Sequence, residues 1–181
     1  MVRTMSNNQG DGIIKNSINK GEINLKIDKV SNGIYTGGII ADGRAKTTLR
    51  NVYNKGNIKI KLIEGNYIRA GGIVGEDIKN TTNIANGYNY GKIEINSNAT
   101  SKLIGAICGV SKTNTNLQNL YYLNNNGYSE IGLNNATSVQ IEQIDENNKN
   151  GLVDKLNKDT DKWKPDTKNI NNGYPILEWQ Q

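Results

Sequence analysis

Apolar residues in this chain stand singly between polar ones, and the clearest stretch is residues 57–62. There Ile58, Ile60 and Leu62 fall on one side and Asn57, Lys59 and Lys61 on the other. A period of two is the signature of a strand with one buried face. The same alternation occurs at Ile23, Leu25 and Ile27, and again at Ile93 and Ile95, each set 35 positions from the next. Helical spacing is not supported, because Gly and Asn interrupt every window.

A repeat of 33 to 35 residues extends beyond these strands. Segments 13–47, 48–82 and 83–115 align, and a fourth, 116–133, begins in register and then decays. Asn16, Asn51, Asn86 and Asn119 correspond, as do Ile18, Tyr53, Tyr88 and Tyr121. Gly37-Gly38 and Gly71-Gly72 match Gly105-Ala106, followed by Ile39, Ile73 and Ile107 and then by Ile40, Val74 and Cys108. Each repeat reads as three short strands, in the second LRNVYN, NIKIKLI and AGGIVG. One such unit cannot bury an apolar face, and stacking successive units does. The expected fold is therefore all-β: a right-handed parallel β-helix, or solenoid, of three to four coils of about 35 residues. Its equivalent Ile, Leu and Val side chains would form interior ladders. An antiparallel sandwich gives no reason for a fixed register.

Composition sharpens this picture. Asn is over-used at 31 residues and Gly reaches 20, the two residue types that best tolerate left-handed backbone and tight corners. The asparagines at 16, 51, 86 and 119, with those at 19, 54 and 89, are expected to form hydrogen-bonded ladders from coil to coil. The net charge is +5, but Lys and Arg are dispersed among Asp and Glu, so no basic stripe argues for nucleic acid. No apolar run approaches a membrane span. The polar N-terminus lacks the apolar core of a signal peptide, so residues 1–12 read as a flexible tail. An exported parent protein would carry its export signal elsewhere.

With the repeat in view, NVYNKGNI and AGGIVG resemble the repeats of bacterial surface proteins that carry the GLUG motif, a Gly-Gly-apolar-apolar-Gly core. Gly71, Gly72, Ile73, Val74 and Gly75 match that core best, and Gly37 to Ala41 and Gly105 to Gly109 match it less fully. The resemblance covers about residues 13–125. It implies a solenoid from an adhesin-like, cell-wall or secreted protein of a Gram-positive bacterium, or from the non-catalytic region of an IgA-specific metallopeptidase. It does not identify a ligand.

Beyond Leu133 the repeat is lost, and residues 134–181 read as a capping segment. Thr137-Ser138 can start a short helix over VQIEQIDEN. A second helix, GLVDKLNKD, places Leu152, Val153 and Leu156 on one side. A turn at Asn172 to Pro175 and an apolar strand at Ile176 to Trp179 resemble the closing segment found after GLUG-like repeats. A solenoid end exposes unpaired edges and open core, so this segment is expected to cover it, with Trp163, Tyr174 and Trp179 as its core.

Candidate chemistry is sparse. The chain has no His, which removes His-based zinc and Ser-His-Asp sites; no metal site and no cofactor are expected. Cys108 shares a position with Ile40 and Val74 and reads as core. Tyr53, Tyr88 and Tyr121 should stack as a ladder: core if buried, a glycan-stacking strip if exposed. Asp42 and Glu76 fall side by side on adjacent coils, with Arg44 nearby. They could share a proton as a working pair or hold calcium, or form only a solvated corner. Asp159 and Asp161 read as loop charges. The expected function is a non-catalytic binding or spacer module of an extracellular surface protein, part of a larger chain, with a host or cell-wall glycan or protein as partner. The alternatives are a carbohydrate-active solenoid enzyme using Asp42 and Glu76, or the accessory repeat region of a secreted protease.

Overall fold

The structure is a computed structural model that describes residues 2–4 (backbone only), 11–44, 46–77, 82–124 and 127–181. It is a parallel β-solenoid of about three turns followed by a short helical segment. A strand β1 (Val2–Thr4) lies within the stretch read as a tail. The first coil holds β2 (Gly12–Asn19), β3 (Ile23–Lys29), β4 (Gly33–Gly37) and β5 (Ile40–Gly43); the second holds β6 (Thr47–Asn54), β7 (Ile58–Glu64), β8 (Tyr67–Gly71) and β9 (Val74–Asp77). The third holds β10 (Asn83–Asn89), β11 (Ile93–Ser97), β12 (Ser101–Gly105) and β13 (Cys108–Val110). There follow β14 (Asn116–Tyr122), β15 (Ile131–Leu133), β16 (Ser138–Gln143), the helix α1 (Lys149–Leu156), β17 (Trp163–Lys164) and β18 (Ile176–Leu177).

Equivalent strands stack into four parallel walls. Wall one is β2-β6-β10-β14-β16, wall two β3-β7-β11, wall three β4-β8-β12, and wall four β1-β5-β9-β13-β15. The register is that of the sequence repeat: Ile23 pairs with Ile58 and Ile58 with Ile93, and Tyr53 pairs with both Ile18 and Tyr88. The coils have four strands, not three. The expected strand AGGIVG is a corner, with Gly71 ending β8 and Val74 opening β9.

That corner organises the cross-section. The interior comprises two apolar clusters. Walls one and four enclose Leu49, Val52, Ile73, Val74, Ile84, Ile107 and their neighbours; walls two and three enclose Ile58, Ile60, Leu62, Ile68, Ile93 and theirs. Between the clusters the Gly-Gly corner reaches the opposite side of the coil, where walls one and two meet at Asn19, Asn54 and Asn89. A Cβ on Gly72 would lie 2.2 Å from Asn89 Nδ2 and 2.1 Å from the Ala106 carbonyl oxygen, so only glycine fits there. Ala106 is tolerated at the last such corner, where the following rung is Tyr122 instead of asparagine.

The asparagines form the expected ladder. Asn19 Nδ2 donates to Asn54 Oδ1 at 2.8 Å, Asn54 Nδ2 to Asn89 Oδ1 at 2.8 Å, and Asn89 Nδ2 to the Ala106 carbonyl at 2.9 Å. Each Oδ1 also accepts the backbone N–H two residues on, from Gly21, Gly56 or Gly91, which turns the chain from wall one into wall two. Asn54 and Asn89 are fully buried.

The other asparagine set, Asn16, Asn51, Asn86 and Asn119, sits inside the strands of wall one in left-handed backbone, with φ of 51°, 55°, 56° and 52°. Asparagine tolerates this conformation far better than a β-branched residue. Each one kinks its strand, and the kinks superpose because the residues recur in register.

Two expectations for the C-terminal segment are corrected. Residues 138–143 form strand β16, which extends wall one by pairing with β14, instead of a helix. An open sheet edge satisfies a row of backbone groups at once, whereas an isolated turn of helix is marginal in water. The second correction concerns position: the segment from α1 onward lies along the flank of the stack, over wall one, instead of across its end. Its contacts run from the fourth coil, where Asn119 Nδ2 donates to the Lys155 carbonyl at 2.9 Å, back to the first, where Trp179 Nε1 donates to the Asn16 carbonyl at 3.1 Å.

Ile73 is fully buried and stacked between Ile39 and Ile107, with which it exchanges backbone hydrogen bonds of 3.0 and 2.9 Å. Ile73→Asp places an unpaired charge in this interior. The expected result is loss of the cooperative thermal transition by circular dichroism; a folded variant would place Ile73 outside the stack.

Candidate functional site

The tyrosine ladder is where the sequence placed an optional glycan-stacking strip, and its side chains do point outward from the stack. Tyr53 and Tyr88 stack with centroids 4.9 Å apart and planes 3° from parallel, and Tyr121 continues the register. The flanking segment covers them: Tyr53 and Tyr88 are fully buried and Tyr121 is 5% exposed. Trp163 sits 5.5 Å from the Tyr88 ring, and Leu152, Leu156, Tyr174 and Leu177 complete the cluster. The phenols are tied down as well. Tyr88 Oη donates to the Pro175 carbonyl and accepts from Asn171 Nδ2 at 2.8 Å, and Tyr121 Oη donates to Asn119 Oδ1 at 2.7 Å. Burial pushes the Tyr88 phenol well above its ordinary pKa and that of Tyr121 up to about 12, so both stay neutral in the physiological range. The ladder is a second core, which corrects the stacking-strip alternative.

Trp163 and Tyr174 belong to that core as expected. Trp179 does not, being 57% exposed.

The carboxylate pair is placed as the repeat implied, with Asp42 and Glu76 partners in the β5–β9 register. Neither is a solvated corner, since they are 3% and 1% exposed. Arg44 Nε donates to Asp42 Oδ2 at 2.7 Å, Arg69 pairs with Glu76 through Nη1, and Lys112 Nζ lies 3.8 Å from Glu76 Oε1. Arg69 is itself flanked by rings, its guanidinium carbon 4.7 Å from the Tyr67 centroid and 5.6 Å from that of Tyr35. The two tyrosine hydroxyls are 2.6 Å apart, and burial, aided by that bond, raises Tyr35 to about 12. Arg69 and Tyr67 were not singled out from the sequence. They vary from coil to coil at their positions, so no periodicity marks them.

Beside Glu76, Asp77 is 1% exposed and accepts from both Thr82 Oγ1, at 2.6 Å, and Thr115 Oγ1. Burial raises its pKa, an effect the two threonine bonds oppose. The neighbouring Cys108 thiol is buried in the Ile40–Val74 ladder, and burial pushes it far above the usual thiol range. It is core, as expected, with no reactive thiolate at neutral pH.

Among the described residues, no cluster of three or more His, Cys, Asp or Glu could hold a metal ion, and no helix is long and apolar enough to cross a membrane. No protein-family model, no curated protein and no solved structure matches the chain.

Trp163→Ala removes the ring on which the flanking segment is anchored and should cost roughly 3–5 kcal/mol in denaturant unfolding. A loss below about 1 kcal/mol would mean that the segment is held by its edges instead. Asp77 has a raised folded pKa, so its ionisation works against the fold: between its ordinary 3.8 and the raised value, the folded state binds more protons and stability falls as pH rises. Asp77→Asn should remove that component, leaving the variant at least as stable as wild type at pH 7 and shifting the slope of stability against pH toward positive values in thermal melts taken from pH 3 upward. A slope identical to wild type would place the titration elsewhere.

Proposed function

We propose that this chain is a non-catalytic binding module of a GLUG-like repeat protein, exported and displayed at a bacterial cell surface, with an adhesive role. The observation that carries the reading is the state of the side chains that could do chemistry. Asp42 and Glu76 are buried and held by the guanidinium groups of Arg44 and Arg69, and the tyrosine ladder is covered along its length. A carbohydrate-cleaving solenoid would need at least one of these carboxylates to face substrate and change protonation state. What the chain offers to solvent is a stiff stack whose faces repeat at the coil spacing of about 4.8 Å, a geometry suited to extended, repetitive partners. The Gly71 to Gly75 sequence and the parallel solenoid both accord with the GLUG resemblance.

The test is display of the chain on a non-adherent bacterium. Adherence to host cells or to isolated cell-wall material above that of the undisplayed strain is the expected outcome. Failure to adhere to either, together with intracellular residence of the parent protein, would sink the reading. Incubation with a polysaccharide panel should give no cleavage, for wild type and Asp42→Asn alike. Cleavage by wild type that is lost in Asp42→Asn would establish the enzyme reading instead.

A further inference from the structure

Where the flanking segment leaves wall one, a cleft of about 240 Å³ opens between β10, β14 and β16 on one side and the chain just after α1 on the other. Its floor arises from a break in an otherwise bulky column. Lys15, Arg50, Ala85 and Gln118 are register partners on successive strands, and only Ala85 is short, so a methyl lies between long polar neighbours. The sides carry Gln118 and Gln140, both exposed, whose amides bond to no described residue, and Asn119 lies deeper. The rim is Lys158-Asp159, with the Asp159 carboxylate braced by Arg50 Nη2 and Asn86 Nδ2, both at 2.5 Å.

Bracing Asp159 costs the asparagine column a rung. Asn51 donates to Asn16 at 2.9 Å and Asn119 to Asn86 at 2.7 Å, but Asn86 directs its amide to Asp159, and the buried Asn51 Oδ1 is left without a hydrogen bond. The column therefore breaks at the rung beside Asn86, which lines the cleft.

We infer that this cleft binds a neutral saccharide, one ring seated over Ala85. The inference rests on the binding-module reading and assigns it a ligand class. Planar carboxamides and a guanidinium-braced carboxylate are paired donors and acceptors suited to vicinal hydroxyls. Asp159 offsets Arg50, with which it pairs, and leaves Lys158 as a single rim charge with no paired cations converging on the floor, so the cleft is not built to select an anion. Its volume falls below the range of roughly 300–1,000 Å³ for drug-sized ligands and suits a single ring unit.

The experiment is calorimetric titration of the full chain with four neutral probes, the tetrasaccharides of glucose, mannose, galactose and N-acetylglucosamine. Saturable binding of at least one is expected. Ala85→Leu, which fills the floor from an outward strand position, should abolish it. Gln118→Ala with Gln140→Ala should weaken it about tenfold, and Lys61→Ala on wall two should leave it unchanged. Thermal melts establish that each variant is folded. Failure of all four probes to bind, or binding that survives Ala85→Leu in a folded protein, overturns the inference. The two readings fail separately. Adhesion that persists without saccharide binding removes the cleft and leaves the module, whereas saccharide binding by a chain that does not adhere removes the adhesive role and leaves the cleft.

Discussion

The architecture depends on one contact repeated up the stack: the asparagine column Asn19, Asn54 and Asn89, whose last two amides are buried against the glycine corners of the opposite side. Asn54 does three things at once: it bonds to Asn89 of the next coil, closes its own turn through Gly56, and occupies the space a Cβ would need on Gly38. An asparagine removed from this column would leave buried donors and acceptors unpaired on three sides, which is why its burial is tolerated only when every partner is present. Because the contact pinches the coil, the interior divides into two apolar lobes, and each lobe is narrow enough to be filled by single layers of Ile, Leu and Val.

The pinch also explains how a chain with modest hydrophobic content holds together. No Phe is available, and the interior needs none, since stacked β-branched side chains fill two thin lobes. The aromatic residues are used elsewhere. Tyrosines that point out of wall one would expose a large apolar strip, and the flanking segment covers that strip with Trp163, Tyr174 and the apolar side of α1. The result is a second core outside the solenoid, which ties residues from all coils to the C-terminal segment.

Electrostatics on the outside follow the same logic of internal satisfaction. Buried Asp42 is held by Arg44 two residues on, Glu76 by Arg69 of the preceding strand, and Asp77 by the hydroxyls of Thr82 and, from the next coil, Thr115. In the cleft over Ala85 the glutamine amides bond to no described residue, and they stand beside the broken rung of the asparagine column.

Much of this was legible in the order of residues. A period-two pattern recurring every 35 positions implies stacked parallel strands, because only stacking lets weak segments share an interior; the Ile39, Ile73, Ile107 ladder, the asparagine column and the buried Cys108 all follow from that register alone. The adjacency of Asp42 and Glu76 followed too, since register is a property of the repeat. What lay beyond the sequence was every relation that the repeat does not encode. The glycine pair turned out to be a corner because of what faces it across the coil, and residues 138–143 became a strand because an open edge was waiting for them. The tyrosines became core because a non-repeating segment folds back along the flank, and Arg50 met Asp159, 109 positions away, for the same reason. Periodicity determines which residues lie above one another; which face is then covered depends on contacts between segments with no common pattern, and those exist only once the chain is folded.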